Sequence, residues 1–199
     1  EYNLIMVAAP RSTIDSYVSI LEELYIELLA VNVQGMALLS ILSFQDVLVG
    51  PTAIIDIGAS ETRMVIGEKE NIYLARTVDT GGSDFTEVLM ENDETYEEAE
   101  KRKQEINLEN ETQNETEDIS LDLALNQINE ENNNSSLLSV AKDLISEISR
   151  SIDYFENHNR NKTLEDVYIT GGGARLKGLK EMIEEEIEFN IKKIDPLQD

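Results

Sequence analysis

VYITGGGARLKGLKEMIEE, residues 167–185, places three of the chain's ten glycines between a short β-like run and a helical pattern. A strand–glycine–helix junction has two uses. A helix start offers free N–H groups and the positive end of a dipole, which suits a phosphate or nucleotide. Glycine lets the backbone pass close to a ligand and take positive φ. The bland alternative is a tight strand-to-helix turn. The two familiar phosphate motifs are absent. Leu176 stands where GxGxxG needs its last glycine, and Gly178 is followed by Leu179, not by the P-loop lysine. Taken alone, the stretch leaves both uses open.

A second glycine site bears on the choice. DIGASETRMVI, residues 56–66, sets an acid at the end of one strand, then a Gly-Ala-Ser turn, then another strand. A turn whose N–H groups point inward can hold phosphate oxygens. Asp56 at its entrance can hold magnesium through water, because this hard cation wants oxygen ligands and keeps its waters. A plain hairpin accounts for Gly58 but gives no reason for Asp56 inside an apolar strand. Ser60 and Thr62 fit phosphate contacts. Strands over 53–57, 62–66 and 72–78 with short turns predict an antiparallel meander. Gly81 and Gly82 then open a helix, SDFTEVLM.

The flanks read as an alternation of strands and helices. NLIMVAA (3–9) and IELLAVNV (26–33) are expected strands. Between them Ser12 or Thr13 can cap a helix, with Ile14, Tyr17, Val18, Leu21 and Leu24 at helical spacing. Residues 35–42 and 95–106 are expected helices, and LLSVAKDLISEISRSIDYFEN (137–157) is a long amphipathic one. VYIT, then LKGLKEMIEEEI, then FNIKKI predict strand, helix and final strand. Residues 91–135 carry 15 acidic and 3 basic residues and nine asparagines. Within them, 107–135 reads as an acidic segment: a loop, a mobile insertion or a poorly packed helix.

Composition narrows the function. Net charge is −25, from 41 acidic against 16 basic residues. That argues against nucleic-acid binding, which needs Lys and Arg on phosphates, and against adhesion to anionic lipid. With no cysteine, disulfides, thiolate zinc sites and cysteine nucleophiles are excluded. The single histidine, His158, sits in a polar run at a helix end and reads as a solvated residue. Residues 28–49 are apolar but interrupted by Asn32, Gln34, Gln45 and Asp46, so they read as a strand and a helix, not a bilayer span. The chain opens EYNLIMVAAP, without a basic leader or an initial Met, as a piece of something longer would.

AIIDIGASETRMVI resembles the second phosphate motif of the actin-like ATPase superfamily, and VYITGGGARLKGL resembles its adenosine motif. RTVDTGGSDFTEVL followed by TYEEAEKRK is similar to the linking segment of the FtsA and PilM branch. SRSIDYFEN before the glycine motif and the closing IDPLQ most resemble the PilM family of type IV pilus assembly. The resemblance covers most of the chain outside 107–135.

It implies an α/β (mixed α+β) fold: an actin-like, ribonuclease H-like second half over 44–199, with the acidic insertion at about 107–135. Residues 1–43 would be the inserted subdomain of the FtsA/PilM type and its connecting helix. The implied function is a cytoplasmic ATP-binding scaffold at the inner face of the membrane, binding the tail of a PilN-like membrane protein. An FtsA-like division protein and a nucleotide-free docking module are the alternatives. The implied nucleotide residues are Asp56, Gly58, Ala59, Ser60, Thr62, Gly81, Gly82, Gly171, Gly172, Gly173 and Ala174. With them goes the i,i+3 pair Glu100 and Lys103, which in relatives borders ribose and adenine; a surface ion pair is the plain alternative. Asp56 would hold Mg through water. The superfamily's first phosphate hairpin does not precede residue 1, so the resemblance implies weak or absent ATP binding in this chain by itself. No glutamine, glutamate or histidine is assigned to position an attacking water, which makes it at most a weak ATPase.

Overall fold

A computed structural model describes residues 6–69, 71–90, 94–108 and 124–194, the side chains of 124–134 excepted. The element order among them is α1 (Arg11–Glu23), α2 (Gln34–Phe44), β1 (Thr52–Ile57), β2 (Thr62–Glu68), β3 (Asn71–Val78), α3 (Gly82–Leu89) and α4 (Tyr96–Glu105). α5 (Ala124–His158), β4 (Asp166–Thr170), a 3₁₀ turn (Gly173–Arg175), α6 (Leu179–Ile187) and β5 (Ile191–Lys193) follow.

The five strands form one sheet in the order β3-β2-β1-β4-β5. β1–β2 and β2–β3 pair antiparallel, as the meander predicts, while β1–β4 and β4–β5 pair parallel. β1 lies at the centre and every residue of it is buried, which explains the unbroken run TAIIDI. Alternate residues serve opposite layers. Ala53, Ile55 and Ile57 join the core beneath α3, α5 and α6, with Phe85, Leu144, Ile148, Phe155 and Ile183. Ile54, Val65 and Tyr168 face α2 through Leu39 and Leu42. Asp56 shares this second face, the only acid in a strand of apolar residues.

α5 is fastened to the edge strand by Arg76 of β3, which pairs with Glu147 and also donates to Ser151. His158 closes α5, exposed and stacked on Tyr154 at 3.9 Å.

Three expectations are corrected. Residues 6–9 and 26–33 form no strand; residues 3–5 lie outside the described residues. An apolar run becomes a strand only against a hydrogen-bonding neighbour strand, and 26–33 has none among the described residues: Leu29 is 87 % exposed. Neither Ser12 nor Thr13 caps α1. The N-cap is Pro10, two or three residues earlier, whose carbonyl accepts from Thr13 N–H, and no side chain caps the helix. The long helix expected over 137–157 begins earlier, at Ala124, so the later part of 107–135 is helical, one of the forms the sequence left open for it; 109–123 lie outside the described residues. Among the described residues no helix is long and apolar enough to cross a membrane.

Candidate functional site

The β1–β2 turn closes through Gly58 N–H donating to the Glu61 carbonyl at 3.0 Å. Its outer carbonyls are taken by the start of α3: Gly82 N–H donates to Gly58 at 2.8 Å and Ser83 N–H to Ala59 at 2.7 Å. A Cβ on Gly81 would lie 2.5 Å from the Ala59 carbonyl oxygen, so this glycine lets α3 seat against the turn. Gly81 N–H donates to Asp84 at 2.7 Å. The start of α3 is therefore a docking surface for the hairpin, not a free anion site. The tip keeps its own donors: the N–H groups of Ala59 and Ser60 have no partner among the described residues. Ser60 is exposed there. Thr62 is fully buried and its hydroxyl donates to the Thr80 carbonyl at 2.7 Å, so it braces the turn from behind.

The glycine run packs against the end of β1. Gly171 has φ +93°, and a Cβ there would lie 2.6 Å from Asp56 Oδ1 and closer still to the Ile57 carbonyl. A Cβ on Gly173 would strike the Ile57 side chain, whereas one on Gly172 would meet nothing within 4 Å. Two glycines thus permit contact with β1 and the middle one faces open space. Ala174 sits half-buried in the 3₁₀ turn, against the core.

α4 supplies the opposite wall. Thr95 caps it, in a reciprocal box with Glu98. Thr95→Ala should cost about 1 kcal/mol of stability, read as a lower midpoint in chemical denaturation. Lys103, 9 % exposed, donates to Gly82 O at 2.8 Å, Thr86 Oγ1 at 2.8 Å and Glu100 Oε2 at 2.6 Å. Thr86 also donates to Glu100 at 2.6 Å. Burial alone would raise the Glu100 carboxyl, but hydrogen bonds from Lys103 and Thr86 outweigh it and hold the group below its ordinary range. Glu100 and Lys103 are a half-buried clamp of α4 on α3, not a loose surface pair. Thr86, one turn after Gly82, completes it; the sequence reading passed over it.

Between these walls lies a cleft of about 520 Å³, lined by Ala59, Gly82, Glu100, Lys103, Gly172 and Gly173, with Tyr96 and Arg175 at its rim. Asp56 stands past the hairpin on the α2 side, 7 % exposed, accepting a hydrogen bond from Gln34 Nε2. Burial raises its carboxyl, partly offset by the Arg63 charge. Gln34 is the other residue the sequence reading missed; its one signal was a polar residue opening the apolar helix QGMALLSIL.

The residues fit a nucleotide. The cleft has the volume of small-molecule sites, its floor at Gly82 and Gly172 is bare of side chains, and the hairpin tip offers free N–H donors. Among the described residues no three His, Cys, Asp or Glu come together for a metal. A single carboxylate suits magnesium that keeps its waters and leans on phosphate.

A family model described as type IV pilus assembly protein PilM matches residues 1–129 and 115–199. The chain belongs to the PilM family. By structure it is similar to a chain of a PilM–PilN type IV pilus biogenesis complex, with TM-score 0.67 and 19 % identity over 94 % of this chain and 48 % of that one. It is also similar to MreB5 of Spiroplasma citri bound to AMPPNP, with TM-score 0.64 and 16 % identity over 93 % and 60 %. Ta0583, an archaeal actin homolog, follows with TM-score 0.54 and 16 % identity over 83 % and 49 %. These likenesses show an actin-like fold. No curated protein matches the sequence. The chain spans about half the length of the PilM-complex chain it matches.

Proposed function

We propose that this chain carries the nucleotide-holding half of a PilM-type scaffold for type IV pilus assembly, a cytoplasmic protein at the inner face of the membrane. The observation that carries the reading is the convergence of Gly82, Glu100, Lys103, Gly172 and Gly173, from separate segments, on one cleft beside an anion-ready turn. ATP is the ligand this supports. Adenosine would lie against Gly172, Gly173, Glu100 and Lys103, and phosphates against the Gly58–Ser60 turn. Asp56 would hold magnesium through water, and the ion's charge would neutralise phosphate oxygens. Gln34, bonded to Asp56, is the residue able to orient a water, so any ATPase activity would depend on it. The match to a PilM–PilN complex supports a PilN-like tail as partner.

Calorimetric titration of the full gene product with Mg·ATP tests this. Asp56→Ala should weaken binding about tenfold or more. Asp56→Asn should act oppositely on the unliganded fold. A carboxyl raised by burial favours folding at low pH and loses that advantage as pH rises through its raised value. Removing the charge should therefore hold or raise the melting temperature at neutral pH, while Mg-dependent binding is lost. In the wild type, Mg·ATP binding should weaken on acidification at a higher pH than for an ordinary aspartate. Absence of nucleotide binding by the gene product would overturn the reading and leave a docking module.

A further inference from the structure

Besides the cleft at the glycine run, a second hollow of about 450 Å³ is lined by Gln34, Met36, Val65, Arg63 and Arg76, on the α2 side of β2. Asp56 accepts a hydrogen bond from Gln34, which lines the second hollow, and its Oδ1 lies against Gly171 of the glycine run. Arg63 is its direct cross-strand partner in the β1–β2 register, so the two side chains share the α2 face of the sheet. Cross-strand neighbours of this kind lie within side-chain reach.

A polyanion is poorly received by a chain of net charge −25 unless a cation meets it locally. Four cationic residues line the two hollows, and two of them, Lys103 and Arg76, are each held by more than one partner. Lys103 is held by three acceptors at 2.6–2.8 Å. Arg76 is tied to Glu147 and Ser151 on α5. Arg175 belongs to the glycine run, on the far side of the hairpin from Asp56. Arg63 alone stands beside Asp56. Its partner is Glu61, two residues back on the same face, and both side chains reach solvent, at 43 % and 30 % exposure. An exposed pair of this kind contributes little to stability, so Arg63 can leave Glu61 for a stronger anion without disturbing the fold.

We infer that Arg63 is the residue that distinguishes nucleoside triphosphate from diphosphate, by exchanging Glu61 for the terminal phosphate at the Asp56 end of the site. The guanidinium is suited to this exchange because its fork matches carboxylate and phosphate alike. No bond to phosphorus is made or broken; the step is a change of ion-pair partner. Glu61 then acts as a competitor built into the turn, setting how strongly the third phosphate is felt.

This inference rests on the nucleotide reading above, and the experiment separates the two. The full gene product is titrated with Mg·ATP and with Mg·ADP, as wild type and as Arg63→Gln, Arg63→Lys and Glu61→Gln. Arg63→Gln should lose about tenfold to a hundredfold in ATP affinity, with ADP affinity changed less than about threefold and the circular-dichroism melt unmoved. Arg63→Lys should fall between, since a point charge replaces the fork. Glu61→Gln should raise ATP affinity relative to ADP; this variant decides the matter should Arg63→Gln fold poorly. Equal losses for both nucleotides, or none, would overturn the role of Arg63 while leaving the nucleotide site standing. Wild type that binds neither nucleotide would overturn both.

Discussion

Gly171→Ala should lower the melting temperature by roughly 6–12 °C, while its neighbour Gly172→Ala should leave it within about 2 °C. At Gly171 two penalties coincide. The residue has φ +93°, where a side chain costs about 1–2 kcal/mol. Its Cβ would also drive into the Ile57 carbonyl and lie 2.6 Å from Asp56 Oδ1. The first obstacle is backbone at the end of the central strand, so no rotamer change relieves it, and the overlap adds about 1–3 kcal/mol. A total near 3 kcal/mol in a domain of this size gives the quoted shift. Gly172 has φ −66° and ψ −40°, a conformation alanine prefers, and its Cβ would meet nothing within 4 Å. That methyl would instead enter the cleft, so Gly172→Ala should keep the fold and weaken nucleotide binding. Thermal melts of both variants check the first claim and titration the second. Equal melting temperatures would mean that the contact between the glycine run and β1 is not what holds the junction.

The same contrast shows which parts of the site the sequence made legible. Three adjacent glycines after VYIT mark a junction that needs close approach. That two of them serve contact with β1 and one is left open is a property of the packed sheet. β1, β2 and β3 were legible because alternation and short turns are local signals, as was the apolar face of α5. IELLAVNV was misread because its composition suits a strand but pairing is settled by a neighbour the local pattern cannot supply. The role of Gln34 was hidden for a similar reason: its contact with Asp56 spans 22 positions and depends on where α2 lands on the sheet. Thr86 is an ordinary helix residue in sequence and becomes a clamp only when α4 lies across α3. Local chemistry named the turns, and tertiary packing decided which of their atoms remain free for a ligand.

Lys103→Met should destabilise the protein by about 2–4 kcal/mol. Lys103 is 9 % exposed, and its ammonium joins Gly82, Thr86 and Glu100. Methionine keeps much of the stem's volume, so the loss comes from three abandoned acceptors. The Glu100 side chain is 36 % exposed and can be partly rehydrated, which places the cost below the upper limit for a wholly buried pair. Glu100 also fixes the pH dependence. Its carboxyl is held below the ordinary range, so its contribution is present above the unfolded glutamate value and is lost as pH falls through the lower folded value. The difference between wild type and Lys103→Met should accordingly be full at pH 7 and shrink on acidification below the ordinary glutamate range. Adding Glu100→Gln removes the orphaned charge and keeps an acceptor for Thr86. The double variant should recover much of the stability but not nucleotide affinity, because Glu100 and Lys103, both in the cleft lining, have changed. Denaturation midpoints and Mg·ATP titrations on the single and double variants separate the two roles. Full recovery of binding along with stability would reduce the pair to a clamp between α3 and α4, with no share in the ligand.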